Sequence, residues 1–216
     1  MQAVCFDFDG TLVDSEIFHA ENWSQYLSGL NIDISAHDFL VDFAGVPWEI
    51  VANHFSSVAN LPHTAATVVS DMERLTYKAI IERGIPAKQG ALELIKSLHG
   101  ARPLAVVTGS PRNYVEGMLA HLGWLHYFDH VFCGEDVKNN KPAPEIYQLA
   151  CRTLGIAENQ AVAIEDSQTG AQSAYTAGLR LVVVNDLHPV GQDLTPYRYD
   201  NLLEAQAQQA SWLVAS

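Results

Sequence analysis

Two aspartates, Asp7 and Asp9, lie two positions apart at the end of an apolar run, and Gly10 and Thr11 follow them directly. Carboxylates this close repel each other, and a buried one is costly to keep ionised. A hard cation among them removes that cost, and Mg²⁺ is the common choice where phosphate is also bound. Because residues two apart in an extended chain point the same way, both carboxylates can face one substrate. One of them could attack while the other handles a proton.

Other apolar runs of the chain also end in polar residues. These are Thr108 and Gly109 after the run 104–107, Glu165 and Asp166 after the run 161–164, and, in a loop before a helical pattern, Lys141. In open α/β sheets, functional sites form at the carboxyl ends of the strands. We therefore expect these residues to join the aspartate pair in one site that combines four carboxylates, one ammonium group and one hydroxyl group.

The elements that would position this site are short strands alternating with helices. Continuous apolar runs, typical of strands buried on both faces, occur at 3–6, 104–107, 130–133, 161–164 and 181–184. Helical patterns lie between them, at 91–98, after Ser110 and Pro111, from Pro144 to about Gly155, and at 169–177. This alternation predicts a Rossmann-like, doubly wound parallel sheet of the α/β class.

The connection from Asp7 to Leu104 is far longer than the dozen or so residues that a crossover between parallel strands requires. The helix predicted at 91–98 can make that crossover by itself. Residues 15–85 are therefore predicted to form an inserted, all-helical cap domain. Residues 1–14 and 86–216 would form the α/β core domain.

Composition excludes several classes of protein. The formal net charge is −13, and the 12 lysines and arginines do not cluster, which argues against partners such as nucleic acid or an anionic membrane. No apolar run is long enough to span a bilayer, and the N-terminus enters the first strand without the pattern of a signal peptide. The three cysteines lack metal-ligand spacing and are interpreted as reduced core residues. We expect a cytoplasmic monomer.

Four motifs in a fixed order connect the chain to a known family: DFDGT (7–11), VVTGS (106–110), NKPAPEIY (140–147) and IEDSQTGAQSAYTAG (164–178). With these motifs the chain resembles the haloacid dehalogenase-like hydrolase superfamily over essentially its whole length. The resemblance is strongest to the β-phosphoglucomutase-like and phosphatase branch, whose members carry a helical cap after the first motif.

The resemblance implies a mechanism for the acidic residues. Asp7 would be the nucleophile and form an aspartyl-phosphate. Asp9 would protonate the leaving oxygen and then activate water. Mg²⁺ would be held by Asp7, the main-chain carbonyl of Asp9 and Asp166, with Glu165 assisting directly or through water.

The resemblance also assigns the remaining polar groups. Thr108 and the Gly109 amide would bind the transferring phosphoryl oxygens, and Lys141 would offset the charge on the nucleophile and the phosphate. The sequence offers four further candidates for substrate contacts: His19, Trp48, Ser110 and Arg112. For Ser110, a role as the N-cap of the following helix is favoured over a substrate contact.

Two activities stay open, and a Mg²⁺-dependent phosphatase of small phosphorylated metabolites, above all sugar phosphates, is favoured over a hexose-phosphate mutase. In the mutase, the cap segment that resembles 45–51 carries an arginine for a second phosphate, where this chain has Trp48. Asp9 argues against the superfamily's dehalogenases and phosphonate hydrolases. Asn140 replaces the usual glycine before Lys-Pro, and asparagine tolerates a positive φ there.

Overall fold

The structure is a computed structural model that describes residues 1–43, 46, 48–58, 64–185, 190 and 193–214. The chain divides into two compact units. One comprises residues 1–13 and 87–216, and the other comprises residues 14–86. No helix in the described part of the chain is both long enough and apolar enough to cross a membrane.

The first unit contains a six-stranded sheet in the order β3-β2-β1-β4-β5-β6, in which every neighbouring pair is parallel. The strands are β1 Ala3–Phe6, β2 Leu104–Val107, β3 His130–Phe132, β4 Ala161–Glu165, β5 Arg180–Val184 and β6 Arg198–Tyr199. The parallel α/β sheet predicted from the sequence is thereby confirmed. Strand β6 was not predicted, because two half-buried residues leave no apolar run to recognise.

Ten helices alternate with or follow these strands in the described part of the chain. They are α1 Ser15–Ser28, α2 Ala36–Phe43, α3 Trp48–Val58, α4 Ala65–Arg83, α5 Ala91–Leu98, α6 Arg112–His121, α7 Glu145–Leu154, α8 Gln168–Ala177, α9 Leu202–Ala207 and α10 Gln209–Leu213. The first four belong to the second unit, which is therefore helical, and the others belong to the sheet unit.

The sheet is buried because its strands present apolar side chains to both faces. Every residue of β1, β2 and β4 is fully buried. On one face, Ile146 and Ala150 of α7 pack with Ala171 and Ala174 of α8 in the same core cluster as the strand residues. The alanines of α8 are small enough to let the helix approach the strands closely. The three cysteines are free and buried, as the sequence predicted.

The helical unit has its own core, built around aromatic rings. Trp23 of α1 stacks on Phe39 of α2, with 5.6 Å between the ring centroids. Phe39 in turn stacks on Phe55 of α3 at 6.4 Å. Val68 and Met72 of α4 close this cluster, and both are fully buried. The four helices thus bury one shared apolar centre.

The approach of α8 to the end of β4 generates a stability prediction. A Cβ at Gly170, in α8, would lie 1.9 Å from Oε2 of Glu165, whereas a Cβ at Gly117, in α6, meets nothing within 4 Å. Alanine in place of a helical glycine normally gains about 0.5–1 kcal/mol. We expect Gly117→Ala to show that gain in urea unfolding. Gly170→Ala should instead lose about 1–3 kcal/mol, because it overpacks the site. Equal stabilisation of the two variants would contradict the close approach.

Candidate active site

Three neighbouring strands bring the predicted residues to one edge of the sheet. Asp7 directly follows β1, Thr108 directly follows β2, and Glu165 ends β4. β1 lies between the other two strands and is hydrogen-bonded to both. Carboxylate oxygens of Asp7, Glu165 and Asp166 consequently lie within 4.8 Å of one another.

Lys141 is the positive charge of this cluster. Its side chain is only 8 % exposed, and its Nζ donates to Oδ1 of Asp7 at 2.7 Å, Oε1 of Glu165 at 2.6 Å and the carbonyl of Val107 at 2.8 Å. All three ammonium protons therefore have partners. Burial by itself lowers the pKa of Lys141, but Asp7 and Glu165 outweigh that effect and raise it. Lys141 is thus a buried cation and not a solvated loop lysine.

Glu165 is fully buried beneath this lysine. Its Oε1 accepts hydrogen bonds from Lys141 and from the Tyr147 hydroxyl, and its Oε2 lies 3.5 Å from the hydroxyl of Ser167. Burial raises the pKa of Glu165 to about 7, with Asp7 adding to the effect and Lys141 opposing it. This arrangement lets Glu165 fix the position of the ammonium group. The sequence reasoning missed Tyr147, which looks like one more core residue on the apolar face of α7.

The position of the Asp166 carboxylate depends on the backbone conformation of Gly10 in the first motif. Gly10 has φ +78°, and a Cβ there would lie 2.0 Å from Oδ2 of Asp166. The Thr11 hydroxyl donates to Oδ1 of Asp166 at 3.1 Å. Glycine is required at position 10 for both the backbone conformation and the close approach. Burial, together with Asp7 and Glu165, raises the pKa of Asp166 well above its usual value.

The acidic cluster has the chemistry of a magnesium site. Three carboxylates, from Asp7, Glu165 and Asp166, share one buried ammonium group, so the fully ionised cluster carries excess negative charge. Burial, and after it the neighbouring carboxylates, raise the pKa values of Glu165 and Asp166. A dication would offset the excess negative charge, and carboxylate oxygens are the ligands that Mg²⁺ prefers. The residues present therefore fit the metal that the sequence motifs predict.

Asp9 points its carboxylate toward other partners. Its Oδ2 accepts a hydrogen bond from the Ser110 hydroxyl at 2.6 Å, and its Oδ1 accepts one from the Tyr114 hydroxyl at 2.8 Å. Ser110 does not cap α6, since Pro111 holds the N-cap position. The favoured capping role of Ser110 is therefore wrong. Burial, and then the nearby Asp9, raise the pKa of Tyr114, which remains a hydrogen-bond donor. The sequence reasoning missed Tyr114. The only feature of the sequence that could have indicated it is its position, one helical turn after Ser110.

The predicted phosphate-binding loop is tied to the loop of Lys141 by Asn140. The Asn140 Nδ2 donates to the Gly109 carbonyl at 3.0 Å, and its Oδ1 accepts from the Lys141 amide at 2.8 Å. Thr108 is buried, and its hydroxyl accepts from the Ser110 amide. Asn140 does not adopt a positive φ, so the backbone reason expected for an asparagine there is wrong.

Arg112, a candidate for substrate contact, is engaged by its own neighbours. Its guanidinium donates to Glu116 at 2.8 Å, to Asp136 at 2.6 Å and to the Val131 carbonyl at 3.2 Å. The hydrogen bonds to the two carboxylates raise the pKa of Arg112. This geometry favours a structural role at the start of α6.

His19 and Trp48, the two remaining candidates, lie in the helical unit. Their rings meet edge to face, with 5.3 Å between centroids. Burial lowers the pKa of His19 to about 4, so the imidazole is neutral near pH 7. Within the motif segment 45–51, Gly45 and Pro47 lie outside the described residues.

Residues 1–178 match the family model of the haloacid dehalogenase-like hydrolases. The chain belongs to this family. It is 37% identical over 184 residues to the fructose-1-phosphate phosphatase YqaB of Escherichia coli, covering 83% of this chain and 94% of that protein. It is 35% identical over 190 residues to the validoxylamine A 7'-phosphate phosphatase of Streptomyces hygroscopicus, with 85% of each chain covered.

A solved structure of the family shares the complete fold. The hydrolase of Deinococcus radiodurans, crystallised with bound phosphate and sodium, superposes with a TM-score of 0.82 at 26% identity, covering 100% of this chain and 99% of that one. The prediction that the enzyme is a phosphatase of the haloacid dehalogenase-like family is confirmed by the family match and by the relatives named as phosphatases.

The excess negative charge of the acidic cluster generates a prediction about metal. EDTA should abolish phosphate release, and Mg²⁺ should restore it. Mg²⁺ should also raise the thermal unfolding temperature of the wild-type enzyme, because it relieves repulsion among buried carboxylates. Asp166→Asn should lose that rise, while Glu73→Gln, at an exposed position of α4, should keep it. Full activity in metal-free buffer would contradict the metal site.

Proposed function

We propose that this hydrolase is a Mg²⁺-dependent phosphatase of small phosphorylated metabolites, above all sugar phosphates, and that it acts through an aspartyl-phosphate. The observation that carries the proposal is the buried hydrogen bond from Lys141 to Asp7, set beside the acidic cluster. The names of the two relatives, a fructose-1-phosphate phosphatase and a validoxylamine A 7'-phosphate phosphatase, support the substrate class.

In the first step, a carboxylate oxygen of Asp7 attacks phosphorus, and the bond from phosphorus to the ester oxygen breaks. The hydrogen bond from Lys141 to Oδ1 fixes the rotation of this carboxylate before the attack. Asp9 gives its proton to the departing ester oxygen, which leaves as the alcohol of the sugar. The product on the enzyme is a phosphoryl group bonded to Asp7.

In the second step, water attacks the phosphorus of this intermediate and Asp9 takes the proton. The bond to Asp7 breaks, and inorganic phosphate and the free carboxylate are regenerated. Mg²⁺, when bound by Asp7, the Asp9 carbonyl and Asp166, supplies positive charge that offsets the charge on the phosphoryl oxygens. We assign Glu165 to holding Lys141, which follows from the two hydrogen bonds that its Oε1 accepts.

The phosphoryl oxygens need donors on the protein side as well. We assign that role to the Thr108 hydroxyl and the Gly109 amide, which follow β2 next to Asp7, with the ammonium of Lys141 as the nearby positive charge. His19 and Trp48 stay proposed substrate contacts, as the sequence analysis suggests. Arg112 is left out because three groups already occupy its guanidinium.

The cations of the helical unit favour hydrolysis over a mutase reaction. A mutase has to hold the second phosphate of a bisphosphate with a cation. The only lysines or arginines between residues 15 and 85 are Arg74, Lys78 and Arg83. Each pairs with a carboxylate: Arg74 with Asp71 at 3.1 Å, Lys78 with Glu82 at 3.7 Å and Arg83 with Glu21 at 2.8 Å. A second phosphate bound by one of these three cations would have to compete with its carboxylate partner.

The choice between the two activities can be measured directly. We expect incubation with β-glucose 1-phosphate and a trace of the 1,6-bisphosphate to release inorganic phosphate, with water as the acceptor. Glucose 6-phosphate should not form faster than free phosphate. Both products are followed in the same reaction, by a phosphate assay and a coupled dehydrogenase. Isomerisation that outruns phosphate release would show that the enzyme is a mutase.

The different roles of the two aspartates predict different variants. Asp7→Asn should give neither turnover nor a labelled protein when the enzyme is mixed with ³²P-labelled substrate. Asp9→Asn keeps the nucleophile, so it should still become labelled, slowly, while turnover falls by roughly 10²–10⁴-fold. Labelling of Asp7→Asn but not of Asp9→Asn would mean that the two roles are reversed.

A further inference from the structure

Tyr114 makes a contact that the proposed mechanism does not yet use. It lies in the first turn of α6, outside the four sequence motifs, and its hydroxyl donates to Oδ1 of Asp9 at 2.8 Å. Its ring packs edge to face against Phe8, with 5.9 Å between centroids and an interplanar angle of 84°. Phe8 is fully buried and stands between Asp7 and Asp9 in the chain.

We propose that Tyr114 is a positioning residue that holds the carboxylate of Asp9 in the orientation needed for proton transfer to the leaving oxygen. The inference rests on the proposed function, in which Asp9 handles the proton. It adds to that function a residue that the motifs do not contain.

An aspartate side chain keeps rotational freedom unless both of its oxygens are held. Its terminal torsion is broad and roughly two-fold, so a carboxylate with one fixed oxygen can still turn about that contact. Ser110 holds Oδ2 at 2.6 Å, and Tyr114 holds Oδ1 at 2.8 Å. Two donors on the two oxygens fix the plane of the group, which neither donor does alone.

The position of the Tyr114 hydroxyl is itself fixed. A tyrosine has two side-chain torsions, and here the backbone of Tyr114 is fixed in α6 while its ring packs against the buried ring of Phe8. The Ser110 hydroxyl has no such support from a ring. Tyr114 therefore restricts the orientation of the Asp9 carboxylate. Proton transfer depends strongly on the alignment of the donor with the leaving oxygen.

A misaligned Asp9 should slow the reaction only for substrates whose leaving group needs a proton. The ester oxygen of a sugar phosphate would depart unaided as an alkoxide, which is a strong base, so it leaves far faster when Asp9 protonates it as the P–O bond breaks. The p-nitrophenolate ion is a weak base and leaves without a proton. The constant kcat/KM reports events up to departure of this group, before water attacks the intermediate. A misplaced Asp9 thus lowers kcat/KM for the first substrate and spares it for the second.

The experiment compares Tyr114→Phe with the wild-type enzyme on fructose 1-phosphate and on p-nitrophenyl phosphate, both with Mg²⁺. The substitution deletes one oxygen and keeps the ring against Phe8. We expect kcat/KM for the sugar phosphate to fall on the order of tenfold, a part of the usual 10²–10⁴-fold contribution of general acid catalysis. For the aryl phosphate it should stay within about twofold of wild type, since no proton transfer is lost. The matched control is Tyr175→Phe, at an exposed tyrosine of α8, which should change neither value.

The ratio of the two constants protects the test against partial unfolding, because inactive protein lowers both constants by the same factor. An equal loss of kcat/KM on both substrates would assign Tyr114 a purely structural role. Full activity with an unchanged ratio would show that the contact with Asp9 contributes nothing to catalysis. Either result overturns the inference. In an Asp9→Asn background, Tyr114→Phe should cause no further loss on the sugar phosphate, and a further loss there would also overturn it.

Failure of the proposed function gives a different pattern. The proposed role of Asp9 would be wrong if the wild-type enzyme released no phosphate from any monoester, or if Asp9→Asn were as active as the wild type. The inference about Tyr114 would then be wrong as well. Those outcomes are read from the wild-type and Asp9→Asn enzymes alone, without the tyrosine variant.

Discussion

The buried ammonium group of Lys141 is the interaction on which the rest of the candidate site depends. It lies between Asp7 and Glu165, with a third hydrogen bond to the end of β2. Without it, the buried carboxylates of Asp7 and Glu165 and the partly buried one of Asp166 would lie together without the ammonium group that offsets part of their charge. Removing one partner of a buried ion pair typically costs about 3–5 kcal/mol, because the other charge is left unpaired. The arrangement of β1, β2 and β4 lets a single lysine contact both carboxylates and the end of β2.

The surrounding elements serve to hold that ammonium group in place. Tyr147 of α7 donates to Glu165, so the helix that follows Lys141 also fixes the lysine's second partner. Gly170 leaves room for the same carboxylate at the start of α8. Asn140 joins the lysine's loop to the loop that follows β2. Positioning therefore comes from helix starts and loops, which the buried sheet keeps at a fixed spacing.

The sequence predicted the sheet and the catalytic candidates because each carries a strong local signal. Continuous apolar runs mark β1, β2, β4 and β5, and the acidic and basic residues stand where those runs end or in the loop of Lys141. What it missed depends on contacts between distant parts of the chain. Tyr114 and Tyr147 look like ordinary helix residues. Only the fold brings them into contact with carboxylates that lie 105 and 18 positions away along the chain. The role of Ser110 could not be decided from the sequence for the same reason. A serine before a helix is expected to cap it, and only the fold shows that the hydroxyl of Ser110 donates to Asp9 instead.

The two aspartates of the first motif, with the same side chain, end in opposite surroundings. Asp7 is buried against a cation, and burial, its largest influence, raises its pKa while Lys141 opposes that rise. Asp9 instead accepts hydrogen bonds from two neutral hydroxyl groups. A nucleophile benefits from a fixed charge that stabilises its carboxylate, whereas a group that must both give and take a proton cannot be locked to a buried cation. Neutral donors orient Asp9 without that constraint. The proposed separation of roles rests on the partners that the fold supplies, lysine for one carboxylate and hydroxyl groups for the other.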